Sequence, residues 1–466
     1  MKFNFENLGA IDSASIEIAP LTIICGRNNT GKTYVTYAIY ALLSAWRRLI
    51  AWKVDPIDMT QLLVEGSVSI NLQQKLVDNW HQIQVDTSQN WLDSLPQALA
   101  ASVDRFKDTK LNFDIGLDDA WLKHHFKKEL RSDADRILFT AEKPANSAVL
   151  VFAALKDVDQ PKFSGYALEQ FVSETLLQAV LGPYFPSVFM VSTERTGAVA
   201  FKEELNLTKN RIVTLMGQMD SSKETMHPGK LLEAVYKGGY ALPVEHNVQF
   251  VNRFGNLDGK TSQLIKDNPQ LTTDFEKIAG GSYIANKDGT THFVPSGSKA
   301  KLRLGEASSA VRSLIVFWYW LKAEASAGDM LVIDEPELNL HPENQRAFAR
   351  LLAKLVNLGV KVLLTTHSDT MVREFNTLMM LSRNLPHMQA VRTRFSYAND
   401  EQLSPKKVVL YIANGKEFTA SGRAKKGSGT LEQVKPDPKL GLEAAIFDSA
   451  IIEMGDMQDA LRYGVV

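Results

Sequence analysis

Gly26-Arg27-Asn28-Asn29-Thr30-Gly31-Lys32-Thr33 sets two glycines, a lysine and a threonine at the spacing of a phosphate-binding loop. Glycines let backbone N–H groups wrap phosphate oxygens, and a helix starting at the end of the loop adds its positive dipole end. Lys32 would neutralise β- and γ-phosphate oxygens, and the Thr33 hydroxyl would hold Mg2+. The candidate ATP-binding set is Gly26, Arg27, Asn28, Asn29, Thr30, Gly31, Lys32, Thr33 and Tyr34. Cys25, just before the loop, reads as a buried small hydrophobe.

Far along the chain, Leu331-Val332-Ile333-Asp334-Glu335 is an apolar run ending in two acids. A strand of this kind delivers Asp334 to the C-terminal edge of a sheet, where ligands bind in open α/β folds. Asp334 is the second candidate Mg2+ holder beside Thr33, and Glu335 is placed to orient and deprotonate an attacking water. The next apolar run, VLLTT, ends in His367-Ser368, where an imidazole can reach the γ-phosphate and sense its loss. Lys32, Glu335 and His367 are the catalytic candidates. His124-His125, in LKHHFKK, lacks any strand-end setting and reads as a solvated face.

Positioning these groups needs a sheet. KFNFENL and SASIEI alternate apolar and polar residues, LTIIC is a short buried-type strand, and YVTYAIYALLSAW is an apolar helix after the loop. MLVID (330–334) and VKVLLTT (360–366) are buried parallel-type strands joined by the helix PENQRAFARLLAKLVN. A strand at 187–192, a hairpin at 281–297 turning on Asp288-Gly289, a helix opened by Ser308, a strand KKVVLYIA and a closing helix from about Leu440 complete the pattern. Between them, 47–184 reads as a mostly helical insertion anchored by Trp80, Trp91 and Trp121, and 200–300 as mixed. The expected order is a nucleotide-binding core at 1–46, the helical insertion at 47–184, a return strand with a mixed insertion at 185–300, and the rest of the core at 301–466.

Composition narrows the function classes. The 466 residues are 45% apolar and 23% charged, in the range of a globular protein. Fifty-two Lys plus Arg against 53 Asp plus Glu leave −1, so no whole-chain field advertises nucleic acid. One cysteine excludes a disulfide framework and a Cys-built zinc site. The densest apolar run, Leu314 to Leu321, falls well short of the roughly 20 residues that cross a bilayer. The N-terminus has charges where a signal peptide needs an apolar block, so a cytoplasmic setting with no membrane is expected.

Taken together, the loop, Ile333-Asp334-Glu335-Pro336-Glu337 and Thr365-Thr366-His367-Ser368 resemble the ABC-type ATPase heads of the RecF, SMC and OLD-like group. So do the opening strand, Asn7-Leu8-Gly9 and second strand, and the run Leu338 to Pro342 after the acids. The resemblance implies an α/β P-loop NTPase of ABC-head type, with N-terminal antiparallel strands, a parallel core sheet and a mostly helical insertion. It also implies ATP sandwiched between two heads, so that a homodimer or larger homo-oligomer hydrolyses ATP with Mg2+. Members carry a Leu-Ser-Gly-Gly signature that caps the other subunit's ATP. The corresponding stretch here is Leu304-Gly305-Glu306-Ala307-Ser308-Ser309-Ala310, without the glycine pair. Ser308 and Ser309 are the candidates to act in trans, with a plain helix N-cap as the other reading.

Ser192-Thr193-Glu194-Arg195-Thr196-Gly197 and Thr366-His367-Ser368-Asp369 look more like stand-alone ATPases of bacterial anti-phage defence loci, of the PARIS, Septu and retron-associated kinds. That implies a sensor or regulatory switch acting with a separate effector, a nuclease. The alternative is a RecF/SMC-like DNA-binding ATPase, supported by Arg47-Arg48, Lys123 to Lys128 and Arg423 to Lys426. A nuclease within this chain ranks last: Asp448, Glu453, Asp456 and Asp459 read as the solvated face of an amphipathic helix.

Overall fold

The computed structural model describes residues 1–52, 56–131, 135, 137–154, 165–202, 239–286, 290–383, 385–416, 427–434, 436, 441 and 456–461. The Asp288-Gly289 turn, Arg423 to Lys426, Asp448 and Glu453 lie outside them, as does most of the expected closing helix. The chain divides into two compact units, one of residues 1–4, 41–94 and 110–186, the other of 5–40, 95–109 and 187–466.

The larger unit is built on a mixed sheet. Eight of its strands run in the order Lys2–Leu8, Ile11–Glu17, Thr430–Val434, Val408–Asn414, Leu21–Gly26, Lys361–Thr366, Met330–Asp334 and Val188–Val191. From Val408–Asn414 to Val188–Val191 all neighbours are parallel, while Thr430–Val434 runs antiparallel to Val408–Asn414. Leu21–Gly26 is buried at every position, as is Met330–Asp334, so both read as continuous apolar runs because helices cover both faces. The helix Lys32–Leu49 follows the phosphate loop directly, and Pro342–Asn357 joins the strands ending in Asp334 and Thr366. Pro342 stands at the first turn of that helix, where no N–H is needed.

The helix Ser309–Ala323 carries the core of this unit. From Leu314 to Leu321 every residue is buried, which explains an apolar run too short for a membrane. Trp318 stacks on Phe275 at 4.6 Å, Tyr319 on Phe254 at 4.1 Å, and Phe317 meets Phe348 edge-on at 4.9 Å. Three helices and the strand Val188–Val191, through Phe189 on Trp320, thus clasp it. The hairpin at 281–297 forms, with Gly281–Ala285 antiparallel to Thr291–Pro295.

In the smaller unit the expected helices are present, including Gly165–Leu181 and most of Trp80–Ala98. They are joined by something the sequence reading lacked. Ser67–Asn71, Val149–Ala154, Ile137–Lys143 and Phe126–Arg131 form a four-stranded antiparallel sheet, in that order. The pattern is hidden because an inward position of Ile137–Lys143 is a lysine. Lys143 is fully buried, and its ammonium donates to the carbonyls of Leu122, His124, Pro144 and Ser147 beside the Trp121 ring. Trp80, Trp91 and Trp121 are buried as read, and Trp91 packs edge-on against Phe3 and Phe113.

Phe275 is wholly buried between Trp318, Phe317 and Tyr283. Truncating it leaves a cavity against rigid rings, so Phe275→Ala should destabilise the larger unit by about 3–5 kcal/mol, read as a lowered urea midpoint with little change in slope.

Candidate functional site

The parallel register decides where the chemistry sits. Asp334 pairs with Thr365, Thr366 with Cys25, and Gly26 with Ala413, so the phosphate loop, the acids and His367 leave the same edge side by side. Gly26 has φ 151° and a Cβ there would lie 2.6 Å from the Ala413 carbonyl oxygen. Gly31 has φ 91°, and its Cβ would strike Ile11 at 2.9 Å. Both fixed glycines are needed for this close approach. A cavity of about 710 Å3 opens there, lined by Gly9, Ala10, Asn28 to Tyr34, Arg105, Glu335 and His367.

Lys32 is buried at this edge. Its ammonium donates to the Gly26 carbonyl at 3.0 Å and the Arg27 carbonyl at 2.7 Å. Burial lowers its pKa, opposed by Glu335 and Asp334. His367 Nδ1 stands 2.9 Å from the same Gly26 oxygen, a contact made when this nitrogen carries a proton, and 3.4 Å from Lys32 Nζ. Nε2 stands 2.8 Å from Glu335 Oε1. An imidazole donating from both nitrogens is the cation. Accordingly the hydrogen bond to Glu335 raises the His367 pKa, and the same bond lowers that of Glu335.

Asp334 is 1% exposed, and burial pushes its carboxyl up to about 6. Its Oδ1 accepts from the Thr365 hydroxyl. Oδ2 is buried without a hydrogen-bond partner among the described residues, and the Thr33 hydroxyl acts on the same carboxyl. An orphaned carboxylate oxygen beside a hydroxyl is an all-oxygen donor pair of the kind Mg2+ takes together with phosphate and water. The residues present therefore fit Mg2+. Among the described residues no cluster of three or more His, Cys, Asp or Glu could hold a metal, so this smaller donor set is the one to consider. Cys25 is buried, with its thiol pushed up to about 11 by burial.

Sequence reasoning missed several neighbours. Glu337 Oε1 accepts from the Thr366 hydroxyl at 2.9 Å, the His367 N–H at 2.7 Å and the Ser368 N–H at 3.1 Å, fixing the loop that carries the imidazole. Arg195 is 2% exposed, held down to about 10 by burial, and donates to the carbonyls of Asp334 and Glu335. Arg105 reaches the cavity from a short turn far away in the chain. Glu337 had a signal in its place two residues after Glu335, and Arg195 lies in the run Ser192 to Gly197, which gave no hint of its contact with the acids; nothing local marks Arg105.

Ser308 and Ser309 are exposed at the start of their helix and are not among the residues lining this cavity. The Ser308 hydroxyl accepts from the Val311 N–H at 3.3 Å, the N-cap arrangement. Among the described residues His125 pairs with the exposed Glu142.

Because the His367 pKa is raised and that of Glu335 lowered, the pair is charged between them. Its contribution to stability is present below the ordinary histidine value and is lost as pH rises through the raised one; at the acid end it is lost as pH falls through the lowered Glu335 value. NMR titration of the His367 ring should therefore give a midpoint above 6.5, dropping in Glu335→Gln; an unchanged midpoint would remove Glu335 as the cause.

The chain matches the AAA ATPase domain family over residues 1–161 and 202–372, well over half its length. No curated protein matches it. Among solved structures it is similar to an SMC head bound to the C-winged helix domain of ScpA, at 10% identity and TM-score 0.34, covering 93% of this chain and 97% of that one. The SMC head domain from Thermotoga maritima is similar at 10% identity and TM-score 0.28, covering 94% and 98%. An Smc head with an extended coiled coil bound to the C-terminal domain of ScpA, from Pyrococcus furiosus, is similar at 10% and 0.31, covering 98% of each. The family match, together with a phosphate loop, paired acids and a histidine gathered at one sheet edge, establishes that the chain belongs to the AAA ATPase domain family and is an ATPase.

Proposed function

We propose that this ATPase is an ABC-type switch in which MgATP binds at the Gly26–Tyr34 loop and closes two heads on each other. The observation that carries the reading is the contact of Glu335 with His367 beside Lys32, at the mouth of the phosphate cavity. The backbone N–H groups of the loop and Lys32 bind the phosphates, which requires the ammonium to leave the Gly26 and Arg27 carbonyls. Glu335 takes the proton of the attacking water, and His367 holds the carboxylate in place and faces the phosphate to be released. Thr33 and Asp334 would hold Mg2+, which neutralises charge on the β- and γ-phosphate oxygens.

In this reading Ser308 or Ser309 of one head meets the ATP of the other, supported by their exposure at a helix N-terminus and by the resemblance of the stretch to the signature loop. The homodimer, or a larger homo-oligomer, is then the working unit. The biological role we infer is regulatory, a cytoplasmic anti-phage defence ATPase acting with a separate nuclease effector. What supports it is the Ser192 to Gly197 run, and long segments at 47–184 and 200–300 available for a partner or trigger. Among the described residues no helix is long and apolar enough to cross a membrane.

Glu335→Gln should cut steady-state turnover by about 10²–10⁴-fold while retaining MgATP and a closed assembly, seen as a larger species by light scattering. Turnover at the normal rate would sink Glu335 as the base. Lys32→Ala should lose ATP binding itself. Duplex DNA should leave the wild-type rate unchanged; strong stimulation would replace the defence reading with the RecF/SMC-like one.

Joint replacement Ser308→Arg and Ser309→Arg should stop hydrolysis while one head still binds ATP. Equal loss of binding and hydrolysis would argue against a composite site.

A further inference from the structure

Among the described residues Arg195 is the most completely enclosed cation of the larger unit, and its four side-chain hydrogen bonds go to main-chain carbonyls. Nε donates to Ser313 at 2.9 Å, Nη1 to Ser192 at 2.8 Å and to Asp334 at 2.9 Å, and Nη2 to Glu335 at 2.7 Å. These acceptors lie on three separate elements: the end of the strand Val188–Val191, the helix Ser309–Ala323, and the exit of the strand Met330–Asp334. Glu335 itself has φ 52°, a left-handed conformation that a residue with a Cβ rarely adopts and that its surroundings must enforce. Its N–H is anchored on the Thr365 carbonyl at 3.2 Å, and its carbonyl on Arg195. One peptide on each side of the strained residue is thus tied to a different element.

A buried cation surrounded by carbonyls can be mere glue, and Lys143 is one. Its four carbonyls belong to two adjoining stretches, 122–124 and 144–147, and none is a residue with chemistry. Arg195 differs because two of its four acceptors are the paired acids themselves.

We infer that Arg195 is a positioning residue for ATP hydrolysis: its guanidinium holds the Asp334–Glu335 backbone in the strained path that aims the Glu335 carboxylate, and ties that path to the helix beginning at Ser309. The inference rests on the reading of Glu335 as the base. A planar fork with five donors serves several carbonyls at fixed angles, which an ammonium does not reproduce. Displacement of a reacting group by about 1 Å costs on the order of 100-fold in rate, so the effect belongs in kcat and not in nucleotide affinity.

The test compares Arg195→Lys and Arg195→Met with wild type, and repeats each in the Glu335→Gln background. Arg195→Met should lower kcat about 100-fold and Arg195→Lys about ten-fold, a partial rescue by the remaining charge. Affinity for MgADP, by calorimetry, should stay within about two-fold, because no Arg195 atom bonds to the phosphate loop. In the Glu335→Gln background neither substitution should lower the residual rate further, since two residues acting through one step are not additive. If Arg195→Met does not fold, Arg195→Lys reads the same quantities. A folded Arg195→Lys with wild-type kcat would overturn the inference, as would an equal fold-loss with Glu335 already replaced, which is what a purely structural role gives. Normal turnover by Glu335→Gln alone would instead overturn the base assignment, and is read independently of either Arg195 variant.

Discussion

Three cations and three carboxylates crowd the edge where five parallel strands end, and the arrangement depends on their mutual neutralisation. Lys32, Arg195 and Asp334 are nearly sealed from water, and Glu337 has a buried oxygen. In such surroundings an isolated charge would lose several kcal/mol of hydration. The shifts show the tension. Burial is the first cause at Asp334, Glu337, Lys32 and Arg195, moving each toward its neutral form. Opposite charges pull Lys32 and Arg195 back. Only the half-open pair, Glu335 and His367, has hydrogen bonding as its first cause and moves toward the charged forms. The site thus separates enclosed charges, held by the fold, from one pair with access to solvent, where a proton can be exchanged.

That division also explains which parts were legible in the sequence. The phosphate loop and the acids are contiguous, because one strand end and one turn must present them, and the apolar runs before them mark the strands. Register then does the rest, since pairing Asp334 with Thr365 and Thr366 with Cys25 leaves little choice about where His367 emerges. Arg195 and Arg105 are different. Each arrives from another part of the chain, and an arginine whose partners are all main-chain carbonyls has no complementary acid for a reader to find. The four-stranded sheet was hidden for the same reason, through Lys143 at an inward position.

Lys32 illustrates how the loop is held before phosphate arrives. Its ammonium and the His367 ring converge on one oxygen, that of Gly26. Lys32 Nζ and His367 Nδ1 stand 3.4 Å apart, and the Lys32 charge partly opposes the raising of the His367 pKa by Glu335. Phosphate oxygens offered to Lys32 would relieve it, and would leave the Gly26 oxygen to His367 alone. Binding of nucleotide and the state of the acid–imidazole pair are therefore coupled through a single carbonyl, without any larger movement being invoked.

The helix Ser309–Ala323 joins this edge to the exposed serines that the proposed two-headed assembly would use. Its buried middle is packed against aromatic rings of three other helices, which favours a rigid element over a flexible one. Its exposed start carries Ser308 and Ser309, and one turn on, Ser313 gives its carbonyl to Arg195. A displacement of the helix along its axis must change that hydrogen bond, and Arg195 holds the Glu335 carbonyl by another of its own. Glu335 is kept in a conformation it would not adopt unaided, and its backbone rests on that hydrogen bond and on the one from its N–H to Thr365. On the two-headed reading proposed above, occupation of the serine end would be felt at Glu335 through the hydrogen bonds that join Ser313, Arg195 and Glu335.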